Sequence, residues 1–121
     1  MPKVYITNKS AHNFEPAKEF GRLIYLSKGS IERYSTSRMY RTFLEGLVDS
    51  EEDDYLLPTS LSTMNMIAGI IFALKHRRIN LLLFKDGGYV ERTLVFDDID
   101  VFQNELETVL QNEGAKALLK G

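Results

Sequence analysis

The sequence predicts an α/β fold: a three-layer, mainly parallel sheet closed by a C-terminal antiparallel hairpin and a final helix. Three observations carry this. Short β-branched and aromatic runs alternate with stretches of helical periodicity, which implies parallel strands joined by helical crossovers. A continuous apolar run, Ile79 to Phe84, has strand length and suits a strand covered on both faces. Asp86-Gly87-Gly88 follows at once, and glycine supplies the positive φ that a tight hairpin turn needs.

The elements are expected in the order β-α-β-α-β-α-β-β-α. Val4-Tyr5-Ile6 forms the first strand, and a short helix starts near Pro16, since proline is tolerated in a first turn. Leu23 to Leu26 forms the second strand, stopped by Ser27-Lys28-Gly29. Met39, Tyr40, Phe43, Leu44, Leu47 and Val48 share one helical face, with Ser35 or Thr36 as N-cap. Tyr55-Leu56-Leu57 is the third strand. A second long helix, capped by Ser62, has Met64, Ile67, Ala68, Ile70, Ile71, Phe72 and Leu74 around most of its circumference. A helix apolar nearly all round is buried on several sides or lies in a subunit interface, so a homodimer is expected. Tyr89 to Phe96 pairs back on the apolar strand. Asp97-Asp98 caps a last helix that turns Ile99, Phe102, Leu106, Val109 and Leu110 inward and breaks at Gly114.

With 121 residues, of which 44% are apolar and 26% charged, the chain is sized for one domain, residues 1–121, with one real core. A formal net charge of −2 argues against charge-driven binding of duplex nucleic acid or of membranes. With no cysteine, disulfides, thiolate metal sites and a cysteine nucleophile are excluded. The start Met1-Pro2-Lys3-Val4-Tyr5 lacks a signal-peptide run, and the longest greasy segment, Met64 to Leu74, is about half a membrane span. A cytoplasmic address, host cytoplasm for a viral protein, is the expectation. No cofactor is implied.

In an open α/β sheet, ligands bind at the carboxyl ends of the parallel strands. There the sequence places Thr7 to His12, Ser27 to Ser30 and Thr59 to Asn65. The candidate ligand residues are Asn8, Lys9, His12, Lys28, Ser60, Ser62, Thr63 and Asn65. Backbone amides at Ser62 and Thr63 suit a phosphate at a helix start, the lysines supply charge, and Asn8 and Asn65 suit base or ribose edges. The plainer alternative is that Ser62 or Thr63 is only an N-cap and that Asn65 satisfies nearby backbone. The required glycines and lysine of a P-loop are missing. The acidic groups Glu51 to Asp54 and Asp97, Asp98 and Asp100 leave a metal-dependent nuclease open as an alternative. No catalytic residue is assigned, and the balance of these readings is against an enzyme.

Lys3-Val4-Tyr5-Ile6-Thr7-Asn8 and Ser62-Thr63-Met64-Asn65 resemble two motifs of the viral ring nucleases, the type III anti-CRISPR proteins that act on cyclic oligoadenylates. The resemblance covers about a dozen residues, and the total length and order of elements are similar. It implies a viral or phage origin, a dimer and a cyclic-nucleotide ligand. The catalytic histidine of that family is Ser60 here, and Leu61 replaces the acidic residue after it. The resemblance therefore implies a protein that holds such a messenger without cleaving it. A phage structural or host-interaction module with no small ligand is the reading from a different class.

Overall fold

The computed structural model describes residues 1–120 apart from Ile31, Arg33, Ser60 and Asp97, with side chains described as far as Glu113. Five strands form one sheet: β1 (Lys3–Ile6), β2 (Arg22–Tyr25), β3 (Tyr55–Leu57), β4 (Arg78–Lys85) and β5 (Gly88–Val95). Their spatial order is β2-β1-β3-β4-β5. The first four run parallel, with Val4 opposite both Leu23 and Tyr55 and Leu56 opposite Leu81. The hairpin adds β5 antiparallel, from Arg78 opposite Val95 to Lys85 opposite Gly88. Asp86 at φ 52° and Gly87 at φ 82° make its two-residue turn, the backbone that matches the twist of paired strands. Gly21 serves packing instead: a Cβ there would run into the Pro2 carbonyl, which accepts the Arg22 N–H at 3.1 Å.

Helices α1 (Thr36–Gly46) and α2 (Ser62–His76) cover one face. Tyr5, Leu26, Met39, Phe43, Leu56, Met64, Ala68 and Phe72 interlock beneath them. The opposite face is thinner. A single 3-10 turn, η1 (Glu15–Glu19), brings Phe14 and Ala17 against Val4, Ile6, Leu57, Leu82 and Tyr89.

Four expectations are corrected. The run Ile79 to Phe84 is not covered on both faces, since Leu83 and Phe84 are exposed, Phe84 at 56%. The hairpin strands have eight residues each and their parallel neighbour β3 has three, so the hairpin tip projects past the core. The final helix, α3 (Ile99–Lys120), runs through Gly114 without a break. Its Ile99, Phe102, Leu106, Val109 and Leu110 do not point inward but are all exposed. The inward expectation failed because helical periodicity reveals an apolar face but not its partner. The expected cap is Asp98, whose Oδ1 accepts the N–H groups of Asp100 and Val101 at 2.9 and 3.2 Å. Asp97 lies outside the described residues. Ser62 is the first residue inside α2; the N-cap is Leu61, with no side-chain cap bond.

The amino-terminal edge of the parallel strands holds the buried polar groups Ser50, Asp54 and Asn80. Asp54, 1% exposed, accepts the backbone N–H groups of Lys3 and Glu51, both at 2.8 Å, and lies 3.5 Å from the Lys3 ammonium. Asn80 donates to the carbonyls of Glu52 and Asp54 at 2.7 and 2.8 Å. Lys75 Nζ donates to the carbonyls of Leu47, Val48 and Ser50, satisfying groups that the end of α1 leaves open.

Beside it, His76 Nε2 pairs with Ser50 Oγ at 2.8 Å and the ring stacks on Phe72. Burial and the neighbouring Lys75 ammonium hold this imidazole below its ordinary pKa of 6.5. The unfolded chain therefore takes up a proton first as pH falls, so the stability contributed above pH 6.5 is lost as the solution is acidified through that value. Urea unfolding at pH 8 and at pH 5.5 measures it. His76→Gln is expected to flatten the difference; an unchanged slope in that variant would refute the assignment.

Candidate functional site at the carboxyl edge of the sheet

The loops after β1, β2 and β3 meet at the carboxyl edge, as the topology rule requires, and hydroxyl and amide side chains stitch them together. Thr7 is fully buried. Its Oγ1 is 2.8 Å from both Thr59 Oγ1 and Asn65 Oδ1. Asn65 Oδ1 also accepts the Thr59 N–H at 3.0 Å, and its Nδ2 donates to the Thr59 carbonyl at 2.6 Å. This fastens the third loop to the first turn of α2. Ser27 Oγ joins the second loop to the first, donating toward the Thr7 carbonyl at 2.5 Å and Asn8 Oδ1 at 3.1 Å. Asn8 Nδ2 donates to the Gly29 carbonyl, and Lys9 and Lys28 form a parallel backbone bridge.

Asn8 and Asn65 therefore spend side-chain hydrogen-bonding capacity on the loops themselves. Lys9 and Lys28 are exposed, and Lys9 Nζ lies 5.2 Å from the Tyr25 ring centroid. Ser62 is exposed and Thr63 half-buried at the start of α2. Ser60 lies outside the described residues.

A cavity of about 240 Å³ opens beside these loops, lined by Ser10, His12, Phe14, Leu57, Pro58, Thr59, Phe84 and Tyr89. Among the described candidates, His12 lines it; Asn8, Lys9, Lys28, Ser62, Thr63 and Asn65 do not. The His12 ring meets Phe14 and Phe84 edge-on at 4.9 and 5.3 Å between centroids, and Phe84 meets Tyr89 at 5.5 Å. The Tyr89 hydroxyl is 3.4 Å from His12 Nε2. Burial, aided by Tyr25, raises the Tyr89 pKa, so this phenol stays protonated at neutral pH and keeps its donor.

The aromatic wall was missed in the sequence, although its signal is present. The two-residue turn places Phe84 directly opposite Tyr89 in the hairpin register, and cross-strand neighbours share a face. In the sequence Phe84 reads only as strand, and Tyr89 as strand and as one of several scattered tyrosines that could stack a base or pack at the core edge. Chemically, the cavity offers flat apolar faces, an imidazole, a phenol and the hydroxyls of Ser10 and Thr59, with two exposed ammonium groups on the adjoining loops.

The metal-nuclease alternative finds no ligand set: among the described residues, no three His, Asp or Glu side chains gather into a metal-holding group. No helix among the described residues is long and apolar enough to cross a membrane.

No curated protein and no solved structure matches the chain. The resemblance to the viral ring nucleases gains no support from these comparisons, although the phage origin it implied does. A sequence profile of the phage Pam3 gp32-like proteins matches residues 2–94, which takes in β1 through β4 and all but the last residue of β5 and leaves α3 outside. On that match, spanning most of its length, the chain belongs to the phage Pam3 gp32-like protein family.

Proposed function

We propose that this phage-family protein binds an anionic nucleotide of the cyclic oligonucleotide messenger class at the carboxyl edge of its sheet. The observation that carries the reading is the aromatic cavity of His12, Phe14, Phe84 and Tyr89, set beside the lysine-bearing loops. A nucleobase has the flat, polarisable shape that such walls accept, and stacking on one aromatic side chain contributes about 1–3 kcal/mol. The His12 imidazole and Tyr89 hydroxyl offer hydrogen bonds to a base edge. Lys9 and Lys28 supply positive charge toward phosphate, and the free N–H groups at the start of α2 favour the same charge. The role is retention of the ligand, with no bond broken.

Thermal-shift and calorimetric titration with AMP, cyclic di-AMP and cyclic tetra-adenylate tests this. A ligand at about 100 times its Kd stabilises the fold by about 2.7 kcal/mol, a readily measured rise in Tm. Phe84→Ala is expected to weaken binding by about 1–3 kcal/mol while barely moving the Tm of the free protein, because the ring is exposed. His12→Ala is expected to weaken it by about 1 kcal/mol. Absence of binding by all three nucleotides, or unchanged affinity in Phe84→Ala, would overturn the proposal.

A phage interaction module is favoured by a separate observation, the apolar surface of α1, α2 and α3. In that reading these surfaces serve protein contacts and no small ligand is held, so the nucleotide titrations separate the two.

A further inference from the structure

We infer that the protein assembles with a second copy of itself by laying the exposed α3 of each chain into the groove between α1 and α2 of the other. Two unpartnered apolar surfaces carry the inference. The first is the outer side of the α1–α2 pair, where Tyr40, Leu44, Val48, Met66, Ile70 and Leu74 are exposed, Leu74 at 73%. Two adjoining depressions of about 350 and 550 Å³ run along it. Tyr40 and Leu44 line both, Ile71 and Leu74 the smaller one, Arg41 and Ile67 the larger. The second surface is α3, whose Ile99, Phe102, Leu106, Val109 and Leu110 repeat at helical spacing and so form one stripe.

Charge selects the second copy as the occupant. Asp100, Glu105 and Glu107 flank the α3 stripe, and Ile99 to Glu113 contains no Lys or Arg. The two depressions of the α1–α2 groove are lined by Arg41 and Lys75 and, among the described residues, by no carboxylate. An acid-flanked apolar helix thus faces a basic-flanked apolar groove of matching character, the arrangement by which an amphipathic helix docks in a groove.

The chain's own α3 does not occupy that groove, since its stripe is exposed. The Phe96 N–H is bonded at 2.6 Å to the carbonyl of Arg77, the C-cap of α2, which fixes where the chain leaves the sheet. Only two residues of sequence separate Phe96 from Ile99. Exchange between two copies needs no rearrangement of that anchor. Each chain carries both surfaces, so a reciprocal exchange between two copies closes with two-fold symmetry and leaves neither surface open.

Sedimentation or light scattering on the full chain at micromolar concentration is expected to give twice the 13.9 kDa chain mass. Phe102→Glu with Leu106→Glu is expected to raise the dimer dissociation constant by at least about 100-fold, the effect of losing central apolar anchors. Both side chains are exposed in the single chain, so secondary structure and urea stability measured on the monomer should persist. The absence of cysteine allows a second test that tolerates no ambiguity of folding. Ile70→Cys and Leu106→Cys proteins, mixed and treated with a short bis-maleimide, are expected to yield a mixed dimer that Lys28→Cys does not form with Leu106→Cys. A monomer at every concentration, a dimer indifferent to the α3 double substitution, or a link formed only within the Ile70→Cys/Leu106→Cys double variant would each overturn the inference.

Discussion

Phe72→Ala is expected to destabilise the fold by about 4 kcal/mol, close to the whole margin of a small domain. Phe72 is fully buried on α2 and packs in the cluster that joins both helices to the sheet. Truncation removes apolar area and leaves a cavity that the sheet beneath cannot fill, because strand spacing is fixed by the hydrogen-bond ladder. Urea unfolding should show a lower midpoint at an unchanged slope. The same substitution strips one wall from His76. Water then reaches the imidazole, so the loss of stability on acidification should shrink in Phe72→Ala. A loss under about 1 kcal/mol would show that the helices lean on the sheet far less than the burial implies.

Asp54→Ala is expected to cost about 3 kcal/mol at pH 7. The carboxylate serves three donors at once: the N–H groups of Lys3 and Glu51 and the Lys3 ammonium. Removing it strands two backbone donors in a nearly dry site and leaves the ammonium without its counter-ion. Asp54→Asn is the informative companion. It keeps the size and an acceptor but loses the charge, so it should recover a part of the loss. Equal stability of the wild type and Asp54→Ala in chemical denaturation would remove Asp54 from the list of structural residues. Both substitutions lie at the amino-terminal edge, away from the cavity of His12, Phe84 and Tyr89, so the nucleotide binding proposed for that cavity should be untouched per folded molecule by either.

The succession of elements along the chain and the hairpin were legible because they rest on local signals. Tyr55-Leu56-Leu57 is bounded by acidic residues and a proline, and Asp86-Gly87 is a turn pair with one favoured geometry. The meeting of three polar loops was legible for a topological reason, since consecutive parallel strands end on one side. What the side chains do there was not. Asn8 and Asn65 read equally as ligand contacts or as fasteners until their hydrogen-bond partners are known, and those partners lie up to 58 residues apart in the chain. The cavity needed the hairpin register and the placement of η1 together, because Phe14 and Phe84 are far apart in sequence. The orientation of α3 depends on contacts that no periodicity encodes.

The position of β1 in the middle of the parallel strands has a consequence for the order in which the chain can be assembled. Its two neighbours are β2, whose register partners lie 19 residues downstream, and β3, whose partners lie 51 residues downstream. During synthesis β1 can pair on one side early, but its other side stays open until Leu57 has left the ribosome. Hairpin β4–β5, by contrast, closes on two turn residues and needs nothing distant. The last-made part of the sheet is thus the quickest to form, and the first-made strand is the one that waits. The interval in which β1 presents an unpaired edge is when the chain is most open to mispairing with its neighbours.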